Sequence, residues 1–541
     1  MFVENIQNKL RVVPSTRFWV TPLTNYLQIF IAASVVLGIF FRFANLDLKP
    51  FWVDEVINTH YTFGYTEVDI GNQVQDWQGQ AISIEELHRF QSPSPNKTPV
   101  DTIRALALEE PQSPPLYYLL LRGWIQIFGD SVAIRRSLSV FFSLLTFPCI
   151  YWLSKELFNS NLVAWLSVTL FSVSPIHIIY AQEARYYAAW TAIVALSSAV
   201  FLWSVRCKHS LAWVLYAATL TVGLYIYPFT GLIAISHGIY LAFINKFKLN
   251  QETVNYLLSL FASVVAFAPW GWLIAINSGQ MSDWRQQKIP LLMLVKAWLS
   301  SLSITLWDFY GDGLWSISNK EFLLIFFLLV LFGYAFYCLI RGTSRKSWLF
   351  ILVLILVPWL FLALPDLIKG GIRSTIPRYL MSCYLGIQLA TAYTFGTKIS
   401  LNPTSFLQRR IWKFILYITL SISLFSCLTY SQAKVWWNKS NNVDNPKISK
   451  LINKSESALV IARLTSNDGR SILSLSYSLE PNVQLQLLHD EFNAPKIPDG
   501  FADIFLYSLP DTLKEDIKAE NNAEIEVVYQ GNTRVLEKLK Q

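Results

Sequence analysis

Eleven apolar runs, most of them close to twenty residues long, constrain this chain more than anything else in it. With loose ends they fall at 25–43, 135–154, 161–180, 185–205, 210–227, 229–245, 253–276, 319–340, 347–364, 378–396 and 412–431. A spanning helix needs about 20 mainly apolar residues, so the chain reads as a polytopic α-helical membrane protein with about 11 transmembrane helices. Composition agrees. Only 15% of residues are charged and 53% are hydrophobic, against about 25% charged in a soluble domain. The first run lacks a small-x-small cleavage site, so it reads as an uncleaved helix rather than a signal peptide. Leu116 to Phe128 is apolar but too short to cross, and reads as a helix lying in the interface.

The loops fix the sides. Short connectors carry Arg206, Lys246 and Arg345, and positive charge in short loops marks the cytoplasmic face. The longer connectors, about 45–133, 277–318 and 365–377, then lie outside, together with everything after 431. The expected division is a membrane domain over 1–433, with its outer loop at 45–133, and an extracytoplasmic α/β domain over 434–541. In that second domain Ala458 to Ala462, Val483 to Leu488, Asp503 to Leu509 and Glu524 to Tyr529 read as strands. Ser471 to Leu479 and Asp511 to Glu520 read as helices. The expected location is the plasma membrane. The net charge of +8 includes no basic run of the kind that binds nucleic acid, and the five cysteines form no disulfide or metal pattern.

Two polar clusters interrupt this apolar background. Trp52-Val53-Asp54-Glu55 follows the first run, and Gln182-Glu183-Ala184-Arg185-Tyr186-Tyr187 follows the third. Charges at a membrane boundary cost desolvation energy unless they are wet, paired or used. On the eleven-span topology both clusters emerge on the outer side, where they can share one cavity. Asp54 has the chemistry of a base for an acceptor hydroxyl or amine, with helix capping as the competing reading. Glu55 points elsewhere than Asp54 on a helix or loop, so the two need not share a role. Arg185, Arg285, Lys369, Arg373 and Arg378, with Arg135 and Arg136 behind them, are candidate anion holders, because Arg binds phosphate bidentately and stays charged. No HxxxH, HExxH or CxxC pattern occurs, so a dedicated His-based metal cage has little support and no cofactor is assigned. Asp54, Glu183 and His60 keep a divalent metal ion open as a minority alternative.

Trp52-Val53-Asp54-Glu55, Ser113-Pro114-Pro115-Leu116-Tyr117-Tyr118, Phe128 to Arg136, Ser174-Pro175 through Tyr187, and Pro377-Arg378-Tyr379-Leu380 occur in an order that resembles the polyprenyl-phosphate-dependent glycosyltransferases of GT-C fold. That group, glycosyltransferase family 39, includes the protein mannosyltransferase and aminoarabinose transferase relatives. The resemblance covers roughly 25–230 and 365–396. It implies a GT-C-like fold with a long first outer loop, and an inverting hexosyl- or pentosyltransferase with no nucleotide at its site. The implied donor is a sugar on a polyprenyl phosphate drawn from the lipid bilayer, and the acceptor a lipid, glycan or protein. It further implies catalytic roles for Asp54, Glu55 and Glu183, with the donor phosphate held by Arg185, Arg373, Arg378 and Lys369. Relatives often place a histidine in the turn that here reads Tyr225-Ile226-Tyr227-Pro228-Phe229. A transporter or flippase of lipid-linked sugars is the alternative. It fits less well, since transporters carry ionisable groups at the midplane and internal repeats.

Overall fold

The computed structural model describes residues 25–77, 79–277, 286–311, 313, 319–400, 406–464, 469–489 and 495–540. All eleven apolar runs are helical: Asn25–Phe43, Val132–Phe158, Asn161–Ser172 with Pro175–Ala181, Tyr187–Cys207, Ser210–Ile226, Thr230–Ile244, Gln251–Ile276, Asn319–Gly342, Arg345–Lys369, Met381–Ser400 and Phe406–Gln432. Among the described residues, length and composition alone mark seven as able to cross a membrane, or eight if the bent pair at 161–181 is one span. Ser210–Ile226 and Thr230–Ile244 have 17 and 15 residues, short of the usual span. Leu116–Phe128, with 13 residues, is a helix of about 20 Å. It lies along Val132–Phe158, where Tyr117 meets Ser139 at 2.7 Å and Trp124 donates to Ser137 at 2.9 Å.

The bent pair has a local cause. Pro175 cannot donate a backbone N–H, so the helix ends at Ser172 and restarts 60° away. The freed carbonyls sit where no water reaches, and a buried cation from the first helix serves them. Arg42 donates to Ser172 O at 2.5 Å, Phe171 O at 3.2 Å and the Ser143 hydroxyl at 2.8 Å. Gly38 permits this approach, since a side chain there would run into the Ser172 carbonyl. The short Pro175–Ala181 helix then delivers the polar stretch 182–186 to the end of the bundle that bears the C-terminal domain.

That domain is less separate than the sequence suggests. Its six-stranded sheet has the order β1-β3-β2-β4-β6-β5. Here β1 is Ala81–Ser83, β2 Ala458–Arg463, β3 Gln484–Leu488, β4 Asp503–Tyr507, β5 Glu524–Gln530 and β6 Val535–Lys540. Strands β2, β3 and β4 are parallel, with Val460 opposite both Leu485 and Phe505. The edge strand β1 comes from the first long loop and pairs antiparallel with β3, Ile82 opposite Leu485. One apolar core joins Phe51, Val56 and Ile82 of the loop to Val460, Ile472, Leu485 and Phe505 of the domain. Loop and domain therefore fold as one layer over the helices.

Placing a charge in this shared core should cost about 3 kcal/mol or more. We expect Ile82→Asp to speed tryptic cleavage of the C-terminal domain at least tenfold. Val527→Asp, at a position 53% exposed on β5, should leave the digestion rate unchanged.

Candidate active site

Asp54 and Glu55 occupy the first turn of the Val53–Thr62 helix. Successive helical residues project about 100° apart, and the two carboxylates part company there. Asp54 faces a cavity of about 570 Å³ that also exposes Arg185, Arg378, Tyr187, Glu110 and Arg470. Glu55 turns inward and has no exposure.

Glu55 is the centre of a buried charge network. Arg136 grips it through two bonds, Nε to Oε1 at 2.8 Å and Nη2 to Oε2 at 2.7 Å. Arg136 spends its remaining donors on the carbonyls of Leu46, Lys49 and Pro50, so all five guanidinium N–H groups are satisfied. Lys439, from the segment after the last long helix, reaches Glu55 Oε2 at 2.9 Å. Burial alone would raise the Glu55 carboxyl, but Arg136 and Lys439 outweigh it and hold the group at about 2.

The same carboxylate builds the rest of the site. Glu55 Oε1 accepts the Ala184 backbone N–H at 2.9 Å, which pins the second polar cluster against the first. Arg185 then meets Asp54 at 2.6 Å, and Arg378 meets the same oxygen, Oδ2, at 3.1 Å. Aromatic faces steer both cations. Arg185 lies 5.4 Å from the ring centres of Tyr186 and Tyr187, and Arg378 sits over Trp52, Tyr187 and Tyr379.

Glu183 is fully buried between Asn438, which donates to Oε1 at 2.6 Å, and Lys439 at 3.9 Å. Its Oε2 has no hydrogen-bond partner among the described residues, and burial raises its carboxyl. Neither Glu55 nor Glu183 lines the cavity. Arg373 lines a neighbouring apolar groove of about 480 Å³ with Leu360, Phe361, Leu364 and Pro365. It also pairs with Asp366 at 3.3 Å. Groove and cavity share Phe229 and Tyr379. Lys369 is exposed at a helix end and lines neither. Arg285 lies outside the described residues.

Asp54, Glu183 and His60 are not gathered as a ligand set. The Asp54 oxygen that carries contacts faces two guanidiniums, and His60 is buried with its proton affinity pushed down to about 3, chiefly by burial. Among the described residues no group of three or more His, Cys, Asp or Glu could hold a metal ion.

Several functional-looking residues escape sequence reasoning. Asn438 and Lys439 follow Trp436-Trp437, whose indoles both donate to buried Asp308 at 2.8 Å. A Trp pair beyond the last span is the signal that this segment returns to the bundle. Glu110 and Arg470 carry no such signal.

Breaking a buried pair by removing one partner typically costs about 3–5 kcal/mol. Arg136→Met should therefore lower the melting temperature in detergent sharply and cut the yield of folded protein. Arg206→Met removes an exposed partner of Glu156 and should shift stability by under about 1 kcal/mol.

Residues 112–272 match the family model described as dolichyl-phosphate-mannose-protein mannosyltransferase. No curated protein matches the chain. Among solved structures, ArnT from Cupriavidus metallidurans bound to undecaprenyl phosphate superposes with a TM-score of 0.52 at 12% identity, covering 95% of this chain and 98% of that one. The same protein in its apo state gives 0.51 at 12% identity, covering 96% and 98%. The chain thus has the GT-C fold, and the match to the mannosyltransferase family model is confined to its segment 112–272.

Proposed function

We propose that the chain transfers a sugar from a polyprenyl-phosphate donor to an acceptor hydroxyl or amine at the outer face of the plasma membrane, by single displacement with inversion. The observation that carries this reading is the carboxylate of Asp54 held by two guanidiniums in a cavity that adjoins an apolar groove. A polyprenyl chain suits the groove between Phe229, Phe361 and Leu364. Its phosphate then reaches the cavity, where Arg185 and Arg378 suit an oxyanion.

The chemistry follows from that placement. The acceptor oxygen or nitrogen attacks the anomeric carbon, the bond from that carbon to the phosphate oxygen breaks, and the acceptor proton passes to Asp54. Charge grows on the departing phosphate, and fixed guanidiniums stabilise it without reorganising. Donor binding must first displace Asp54 from Arg185 and Arg378, so the base becomes free only when a donor is present. Glu55 and Glu183 act in this reading by positioning: they hold Ala184 and Asn438, and through them the wall that bears Arg185. ArnT from Cupriavidus metallidurans, a solved structure of like fold, is bound to undecaprenyl phosphate, which supports the same class of lipid here.

Two measurements test this. Asp54→Asn should lower transfer of label from polyprenyl-phosphate-linked sugar by about 10²-fold or more yet bind undecaprenyl phosphate more tightly than wild type, since both guanidiniums are released. Arg378→Met should weaken that lipid by about 10- to 100-fold, as expected for a lost charge-assisted bond of about 1.5–3 kcal/mol. Retained transfer by Asp54→Asn removes it as the base. A reporter fused after Gln541 should read as extracytoplasmic, and a cytoplasmic signal would reverse the assigned orientation.

A further inference from the structure

The cavity has two chemically different ends. At one, Asp54, Arg185 and Arg378 stand beside Phe229 and Tyr379, the residues shared with the apolar groove. At the other, the end of the Pro99–Glu109 helix and the chain after it bring Glu109, Glu110, Gln112 and Ser113 to the wall, and the C-terminal domain brings Arg470. Donor binding as proposed above uses only the first end.

Arg470 is built into its place. It opens the Gly469–Ser476 helix, which is fastened to the membrane domain's outer loop. Ser474 donates to Phe51 O at 2.7 Å, and Ser476 meets His88 at 2.8 Å. The Arg470 Nε and Nη2 both donate to Glu67 Oε1, Nε at 3.0 Å. Those two bonds use two of five guanidinium N–H groups. The other three carry no bond to any described residue, and the side chain is 34% exposed. Facing it, Glu109 accepts the Glu67 backbone N–H at 2.8 Å. Glu110 is held by the Gln112 side chain, has no salt bridge to a described residue, and has its carboxyl raised by burial.

This wall pairs hydrogen-bond acceptors, the two carboxylates, with donors, the guanidinium and the amide. Its apolar neighbours in the cavity, Ile57, Leu108, Pro111 and Ile274, can pack against the carbon face of a sugar ring. A phosphorylated headgroup would bring its anion against Glu109 and Glu110, where the nearby cations are already engaged, Arg470 by Glu67 and Arg185 by Asp54. A sugar hydroxyl, by contrast, donates and accepts at once and can bridge such a wall. We infer that this end of the cavity is the acceptor subsite, that it takes a hydroxyl-rich neutral glycan, and that the C-terminal domain takes part in acceptor recognition through Arg470. The inference rests on the reading of the Asp54 end as the donor end.

The test uses the full-length protein in lipid nanodiscs with two probes. One is an array of immobilised neutral oligosaccharides, phosphorylated oligosaccharides and peptides. The other is undecaprenyl phosphate, followed by tryptophan quenching. Wild type should capture neutral oligosaccharides. Arg470→Met and the near-isosteric Glu110→Gln should each weaken that capture about tenfold or more, with undecaprenyl phosphate affinity changed less than twofold. Arg378→Met should do the reverse. Melting temperatures identify a variant that has merely unfolded, and Glu110→Gln then decides alone. No capture of neutral oligosaccharides by wild type, preferential capture of phosphorylated glycans or peptides, or undiminished capture by the folded variants would overturn the inference. Failure of wild type to bind undecaprenyl phosphate would instead sink the donor reading.

Discussion

One buried carboxylate organises this molecule. Glu55 joins Arg136 of a long membrane helix, Lys439 of the segment beyond the last one, and the backbone of Ala184 between two others. Two fully buried cations against Glu55 and Glu183 leave no net charge among the four, and every donor of Arg136 is used. Such a network contributes little net stability, because desolvation offsets most of the attraction. What it supplies is position. Remove it, and the turn that bears Asp54 loses its buried ionic tie to the turn that bears Arg185, leaving the Asn58 donation to Ala184 O and the Asp54–Arg185 pair itself.

The helix turns this anchor into a site. Asp54 and Glu55 are adjacent in sequence and about 100° apart in space, so anchoring one aims the other. The break at Ser172–Pro175 contributes equally. It interrupts the backbone ladder, where Arg42 serves the Ser172 and Phe171 carbonyls, and it delivers the 182–186 stretch to the end of the bundle. The apolar groove then meets the cavity at Phe229 and Tyr379. A lipid-borne phosphate and a polar acceptor can approach the same carboxylate from different media.

How much of this could be read from the sequence depends on the range of the interaction. The helices of the eleven apolar runs were legible because each is encoded by its own run, and the strands β2 to β5 because each carries a local pattern. The meeting of Asp54 with Arg185 was legible because both lie beside strong boundary markers. The assignment of Glu55 and Glu183 to the reacting centre rested on resemblance, and the structure sets both in the buried wall behind the cavity. Their partners Lys439 and Asn438 lie 384 and 255 residues away, and no local periodicity reports a contact of that span. The three-residue β1 was equally hidden, since it acquires strand conformation only by pairing with β3. Arg470 reads as one more polar residue at the start of a helix until the fold seats that helix on residues 53–62.

The pairing of Asp54 with Arg185 and Arg378 gives the proposed reaction its order. Without a donor, Asp54 neutralises one of two neighbouring cations and lowers their mutual repulsion. With a polyprenyl phosphate on the guanidiniums, Asp54 loses its partners and gains an anion as a neighbour. The change that frees Asp54 thus comes at the moment an acceptor proton needs somewhere to go. The acceptor then meets an activated site only after the lipid has arrived, and water, which the empty cavity admits, meets a carboxylate already occupied by two cations.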